Sequence, residues 1–275
     1  RDINLCLPSD MIIICLSQMA REVQICYNGL MIILQASKIE RSFAGELLFD
    51  NINLQVDEGD RIALVGKNGA GKSTTINEII GLLHPYAGEV RIDGLSLPEA
   101  PTDYRKKIGY IPETPSLYEE LTLREHIETV AMAYDLDMDQ VMVRVQPLLE
   151  RFRLAEKLDW FPTQFSKGMK QKVMIICAYA VDPSLYIVDE PFLGLDPVAI
   201  ADLIQLLADE KAKGKSILMS THVLDSAEKM CDGFVILHKG QIRAKGTLDE
   251  LRSTFGDEKA SLNDIYMTLT EEETA

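Results

Sequence analysis

Short apolar runs separated by glycine and acidic turns fill the first third of the chain, and longer helical periodicities fill its middle. Residues 31–35 read as the start of a strand, and 34–41 and 47–56 as β segments, with Ile52, Leu54 and Val56 alternating with polar neighbours. Asp57, Glu58, Gly59 and Asp60 mark a turn before a compact apolar strand at 61–65, a glycine-rich loop and a helical pattern at 74–83. Further strands are expected at 88–92 and 108–111. Residues 121–173 change character: helical periodicity at 123–134 and 141–152, with few β signals, predicts a mostly helical insertion. Beyond it, 185–188 and 217–220 are buried-strand runs with helical segments between them, the pattern of a parallel sheet. Residues 234–238 and 241–245 predict a hairpin around Lys239 and Gly240, and the sequence from about 251 is acidic and weakly patterned. Neither internal repeats nor sustained heptads are found.

Composition narrows the class. The 275 residues, 47% apolar and 26% charged, suit one α/β domain or two small ones with a core that needs no disulfide or metal. A net charge of −15 argues against nucleic acid and against anionic lipid as direct electrostatic partners. No apolar run approaches the roughly 18 to 20 residues that span a bilayer. Three of the five cysteines (Cys6, Cys15, Cys26) fall within residues 1–30 with no metal or redox spacing, which points to free thiols in a reducing compartment. That segment lacks the basic start of a signal peptide, and Ser17 and Gln18 interrupt its apolar stretch. The expectation is that Met31 is the natural start and residues 1–30 are a non-native extension; the other reading is a short extension packed on the domain. From Met31 only Cys177 and Cys231 remain.

Two motifs carry chemistry. Gly66, Lys67, Asn68, Gly69, Ala70, Gly71, Lys72 and Ser73 fit the phosphate-binding pattern G-x-x-x-x-G-K-[ST] between an expected strand and helix, with Thr74 next in line. Its glycines let backbone N–H groups turn toward phosphate oxygens at a helix N-terminus. Lys72 is expected to reach the β- and γ-phosphates of ATP, and the Ser73 hydroxyl to bind Mg2+. Residues 185–190 are an apolar strand ending in Asp189 and Glu190, which places acids at the carboxyl edge of a sheet. Asp189 is expected to hold Mg2+ through water, and Glu190 to act as general base on the attacking water. An acid pair after a strand is, taken alone, more often a solvated helix cap; its place after a phosphate loop favours catalysis.

Phe165, Ser166, Lys167, Gly168, Met169, Lys170 and Gln171, preceding an apolar helix, resemble the signature sequence of ATP-binding cassette (ABC) ATPases. The order of phosphate loop, signature, acid pair, Gly194-Leu195-Asp196 and Ser220-Thr221-His222 also resembles that family, over roughly residues 34–250. The resemblance implies an α/β P-loop NTPase fold: an ABC-type nucleotide-binding domain (31–250) with a RecA-like core, an antiparallel β subdomain and a helical subdomain at about 114–173, followed by an acidic tail at 251–275. It further implies a head-to-tail homodimer in which Ser166 and Gly168 meet the γ-phosphate held by the opposite subunit. In the same way Asp196 would act across the dimer, His222 would contact the γ-phosphate, and Phe43 would stack on adenine. Glu113 stands where the family normally carries a Gln at the metal; it can still approach Mg2+ but adds a negative charge, so altered ATPase coupling is expected.

Residues 110–123 and 160–176 resemble the Ecs-type exporter ATPase, whereas 31–35, 41–45 and 60–74 resemble the ribosome-associated ABC-F class. A chimera joined near residues 66–74 is therefore weighed against ordinary divergence. The favoured function is the ATPase subunit of an exporter, working through a separate multi-span permease from the cytoplasmic face of the plasma membrane. An ABC-F-like translation ATPase is the alternative; it is disfavoured because the chain has one cassette and strong negative charge. A chromosome-maintenance ATPase would need long coiled coils, which the sequence lacks.

Overall fold

The computed structural model describes residues 26–27, 30–43 and 46–271, without the side chains at 26, 27, 30, 43, 46, 47, 50 and 271. The expectations for residues 1–25, with Cys6 and Cys15, lie outside the described residues. Eleven strands are described: β1 (Cys26–Tyr27), β2 (Leu30–Phe43), β3 (Glu46–Asp57), β4 (Arg61–Val65), β5 (Ala87–Ile92), β6 (Leu95–Ser96), β7 (Ile108–Ile111), β8 (Leu185–Asp189), β9 (Ser216–Thr221), β10 (Gly233–His238) and β11 (Gln241–Gly246). The helices are α1 (Lys72–Ile79), α2 (Pro101–Lys106), α3 (Leu123–Ala133), α4 (Met138–Arg151), α5 (Lys167–Ala180), α6 (Pro197–Ala212), α7 (Leu224–Met230), α8 (Leu248–Phe255) and α9 (Leu262–Glu271).

Two sheets divide the work. β11-β10-β4-β9-β8-β7 form a six-stranded sheet that is parallel except for the β10–β11 hairpin. β8 and β9 are buried along their whole length, which is why their sequences are continuous apolar runs rather than alternating ones. The second sheet is antiparallel, with β2 between β3 and β5 and with β1 and β6 at its ends. Its alternation turns Leu34, Ala36, Ile39, Ile52, Leu54 and Val56 inward, where Ile76 and Ile79 of α1 meet them. Burying each such Leu, Ile or Val contributes about 1.5–3 kcal/mol before conformational entropy is charged against it.

Residues 121–173 carry two helices, α3 and α4, and the start of α5. Thr122 and Glu125 close a reciprocal capping box that starts α3, and the Asp137 carboxylate accepts the Gln140 N–H at 2.9 Å to start α4. That cap is why α4 begins at Met138, ahead of its periodic apolar residues. Val145 and Leu149 of α4 and Phe152 just after it join Val173 and Ile176 of α5 and Val188 of β8 in one core, so α5 fastens the insertion to the parallel sheet.

Two expectations need correction. The helix expected at 74–83 runs over Lys72–Ile79, because the chain turns left-handed at Gly81 (φ 78°) and the N–H groups of Leu82 and Leu83 both return to the Asn77 carbonyl. The stretch read as a weakly patterned tail contains the two helices α8 and α9. Each is short and buries only one face: Leu251, Leu262, Ile265 and Tyr266 pack on Val65, Phe234 and Ile236. The acidic residues between them mask the helical period.

Candidate functional site

Strand order assembles the site. β4 delivers the glycine-rich loop; beside it β9 ends at Thr221, and beside β9 the strand β8 ends at Asp189, paired in register with Ser220. β7 lies next, with Ile111 opposite Val188, so the chain leaves the same edge toward Glu113. Residues scattered from 66 to 222 in sequence therefore gather at the carboxyl edge of one sheet, where α/β folds bind ligands. There they line a cleft of about 660 Å3 with walls from Leu48, Asn68, Gly69, Ala70, Gly71, Lys72, Ser73, Thr74, Glu113, Glu190, Leu193 and His222.

Within the cleft Lys72 is 5% exposed. Its ammonium donates to the Gly66 carbonyl at 2.6 Å and lies 3.4 Å from Glu190 Oε1. The other Glu190 oxygen, Oε2, is 2.9 Å from His222 Nδ1 and accepts the His222 backbone N–H at 3.3 Å. Glu190 is thus held between a lysine and a histidine. Its backbone is left-handed (φ 45°), a conformation that costs a non-glycine residue free energy. The surroundings enforce it: the Glu190 N–H donates to both the carbonyl and the hydroxyl of Ser220, at 3.2 and 3.1 Å. Gly71, with φ 106°, lets the loop swing into α1 where a side chain would resist.

The expected metal residues meet as well. The Asp189 carboxylate, 4% exposed, accepts the Ser73 hydroxyl at 3.4 Å and a short hydrogen bond from the Ser220 hydroxyl. Burial together with the charges of Asp189 and Glu113 pushes the Tyr110 hydroxyl up to about 12, which marks those two carboxylates as neighbours of one ring. A hydroxyl and carboxylates are an all-oxygen donor set, which suits Mg2+. Among the described residues no cluster of three or more His, Cys, Asp or Glu side chains is placed to hold a metal ion.

The signature residues sit elsewhere. Ser166 caps α5, accepting the Met169 N–H at 3.3 Å, and Asp196 caps α6, accepting the Ala199 N–H at 2.9 Å. The Ala199 N–H, with Lys172 at 3.3 Å, holds the Asp196 carboxyl below the usual carboxylate range. A Cβ on Gly168 would stand 2.7 Å from the Gly194 carbonyl, so glycine is what lets the two loops touch. Ser166, Gly168 and Asp196 do not line the cleft of Lys72 and Glu190. Phe43 ends β2, but its side chain lies outside the described residues.

Sequence reasoning missed three contributors. Leu48 and Leu193 form apolar walls of the cleft, 45% and 41% exposed, and carry no motif. Tyr266 of α9 accepts the Lys67 backbone N–H on its hydroxyl at 3.1 Å, bracing the phosphate loop from the far end of the chain. Only the i, i+3 spacing of Leu262, Ile265 and Tyr266 could have signalled that helix.

The family model described as "ABC transporter" matches residues 49–193. The chain is 49% identical over 243 residues to the ABC-type transporter ATP-binding protein EcsA of Bacillus subtilis, covering 88% of this chain and 98% of that protein. It is 30% identical over 247 residues to the Nod factor export ATP-binding protein I of Paraburkholderia xenovorans, covering 86% of this chain and 81% of that one. A solved structure of the ATP-binding subunit of an ABC transporter superposes with a TM-score of 0.84 at 51% identity, over 86% of this chain and 99% of its own. The EcsA alignment is longer than all the sequence that follows residue 66, so it crosses the junction expected near residues 66–74. The chimera has no support, and neither has the ABC-F-like alternative.

Proposed function

The chain belongs to the family of ABC transporter ATP-binding subunits, and from that premise we propose how its site works and what it serves. It is the ATP-binding, ATP-hydrolysing subunit of such a transporter. One observation carries the mechanism: buried Lys72 and Glu190 and the more exposed His222 converge in one cleft, while the signature residues stand outside it.

ATP phosphates in the cleft draw Lys72 away from Glu190, because a polyphosphate offers the ammonium more charge than one carboxylate does. The freed Glu190 carboxylate then accepts a proton from the attacking water, and His222, hydrogen-bonded to it, faces the γ-phosphate. Ser73 would hold Mg2+ directly and Asp189 through water, with Glu113 beside them, and the ion would neutralise phosphate charge. Asn68, Gly69, Gly71 and Thr74 cradle the nucleotide, and Gly66 anchors the loop and the lysine. Ser166, Gly168 and Asp196 complete the site from a second copy of the chain, and Phe43 stacks on adenine. Positioning and charge neutralisation supply most of the rate.

The partner is a multi-span permease, and the chain works at the cytoplasmic face of the membrane without entering it. Among the described residues no helix is long and apolar enough to cross a bilayer. Export is the direction, supported by the similarity to the Nod factor export protein. Docking falls on the helical subdomain and on the loop after Glu113. Co-purification from detergent-solubilised membranes, followed by reconstitution into liposomes, tests this: a multi-span protein should come down with the chain and stimulate its ATP turnover. A chain that purifies without such a protein and turns over ATP at the same rate with or without membranes would overturn it.

A further inference from the structure

At the end of α1 opposite the phosphate loop lies a small cavity of about 110 Å3 that the nucleotide mechanism does not use. Its walls are largely apolar, from Leu83, Pro85, Leu97, Pro98 and Tyr104, and Glu78 lies among them. Glu78 is 3% exposed, and among the described residues neither of its carboxylate oxygens has a hydrogen-bond partner. The Arg41 guanidinium is 3.7 Å from Oε1, too far to donate, and its Nη1 donates instead to the His84 carbonyl at 2.7 Å. The remaining charged and titratable groups around the cavity do not supply a donor to Glu78: Glu89 is acidic and paired with Arg91, the Tyr104 hydroxyl donates to the Ile79 carbonyl, and the His84 side chain makes no hydrogen bond to Glu78. Burial raises the Glu78 carboxyl to about 7. Glu78 also sits in the last turn of its helix, where the dipole disfavours a carboxylate. A buried acid that accepts no hydrogen bond and whose ion-pair partner, Arg41, stands off at 3.7 Å, in the least favourable turn of a helix, stays costly unless a closer donor comes to it.

The rim indicates what comes. The loop that gives Leu83, His84 and Pro85 to the cavity wall also exposes two large apolar side chains that do not line it, Leu82 at 71% and Tyr86 at 80%. An apolar rim around one desolvated charge is the anatomy of a protein-docking anchor, for which arginine is among the commonest choices. Sites for drug-sized ligands run to several hundred Å3, whereas this cavity has room for one side-chain end. Cytoplasmic loops of membrane proteins carry an excess of lysine and arginine, whereas this chain carries a net charge of −15.

We propose that the Glu78 cavity receives a single arginine or lysine side chain from a cytoplasmic segment of the membrane-spanning partner, with Leu82 and Tyr86 gripping the apolar residues beside it. The partner's identity rests on the function proposed above; the cation site itself does not. Because Glu78 and the phosphate-binding Lys72 lie on one helix about 9 Å apart along its axis, seating the cation fixes the rear of the helix whose front holds ATP.

The test uses the full chain labelled with 13C at glutamate carboxyls, titrated with N-acetyl-arginine methylamide and with its uncharged isostere N-acetyl-citrulline methylamide. The arginine compound should lower the Glu78 titration midpoint saturably, by about one pH unit, and the citrulline compound should not. Equal responses to both, or none to either, would overturn the cation site. In the complex purified with its membrane subunit, Glu78→Gln should weaken association about tenfold or more while leaving the free chain's ATP turnover unchanged. Arginine binding without any loss of association in Glu78→Gln would overturn the assignment of the partner's side chain to this cavity. Absence of ATP turnover in wild type would count against the function proposed above and leave both outcomes here readable.

Discussion

Replacing Glu190 by Gln keeps the side chain's shape and removes its charge. Oε1 faces the Lys72 ammonium at 3.4 Å and Oε2 faces His222 Nδ1 at 2.9 Å, both within a site less than 10% exposed at Lys72 and Glu190. The amide has one acceptor oxygen to serve two neighbours, so Lys72 loses its ion pair, and no group in the cleft replaces the carboxylate as proton acceptor. A positioned general base contributes about a hundredfold to ten-thousandfold, or about 3 to 5 kcal/mol on the barrier. Glu190→Gln should therefore lose turnover by that factor in a single-turnover phosphate-release assay while still binding ATP. The ligand-free variant should melt below wild type, because Lys72 is left buried without its partner, and ATP should close that gap. A variant that hydrolyses within about threefold of wild type would refute the base assignment.

Three further outcomes follow from particular contacts. Glu113→Gln removes a negative charge beside Asp189 and should shift the Mg2+ concentration that supports half-maximal turnover; an unchanged Mg2+ profile and rate would show that Glu113 does not approach the metal. Tyr266→Phe deletes the acceptor for the Lys67 N–H at 3.1 Å, a contact of about 1 kcal/mol, and should weaken ATP binding several-fold in equilibrium titrations without changing the helical signal in circular dichroism. Glu78 is raised from 4.5 to about 7 by burial, so the folded chain keeps a proton that the unfolded chain releases. Its contribution to stability is present below about pH 4.5 and is lost as pH rises toward 7; urea melts across that window should show a downward slope that Glu78→Gln flattens.

The sequence revealed most of what is local and periodic. The phosphate loop lies in one continuous stretch, and β8 and β9 announce themselves as unbroken apolar runs because both faces of the parallel sheet are covered. What it hid depends on contacts between distant residues. That His222 binds Glu190 follows from β8 and β9 being neighbours, which the order of motifs implies only through the family resemblance. Tyr266 and the Glu78 cavity were illegible: a tyrosine on a short acidic helix and a glutamate in a mostly polar helix look ordinary until the fold brings Lys67 to one and, among the described residues, leaves the other without a hydrogen-bond donor. The acidic end misled for a related reason, since single-faced helices of eight and ten residues carry too few apolar positions to show a period.

The central claim is that an ATP site takes its phosphate loop and base from one chain and its signature from another. Mixing two inactive variants tests it most directly. Lys72→Ala spoils the phosphate loop, and Gly168→Val drives a side chain toward the Gly194 carbonyl 2.7 Å from the Cβ position, spoiling the signature. Each variant alone, folded by circular dichroism, should be inactive. In an equal mixture half the dimers are mixed and each of those keeps one intact site, so turnover should return to about a quarter of wild type. A mixture as inactive as its components, or Gly168→Val alone hydrolysing ATP at the wild-type rate, would contradict the account.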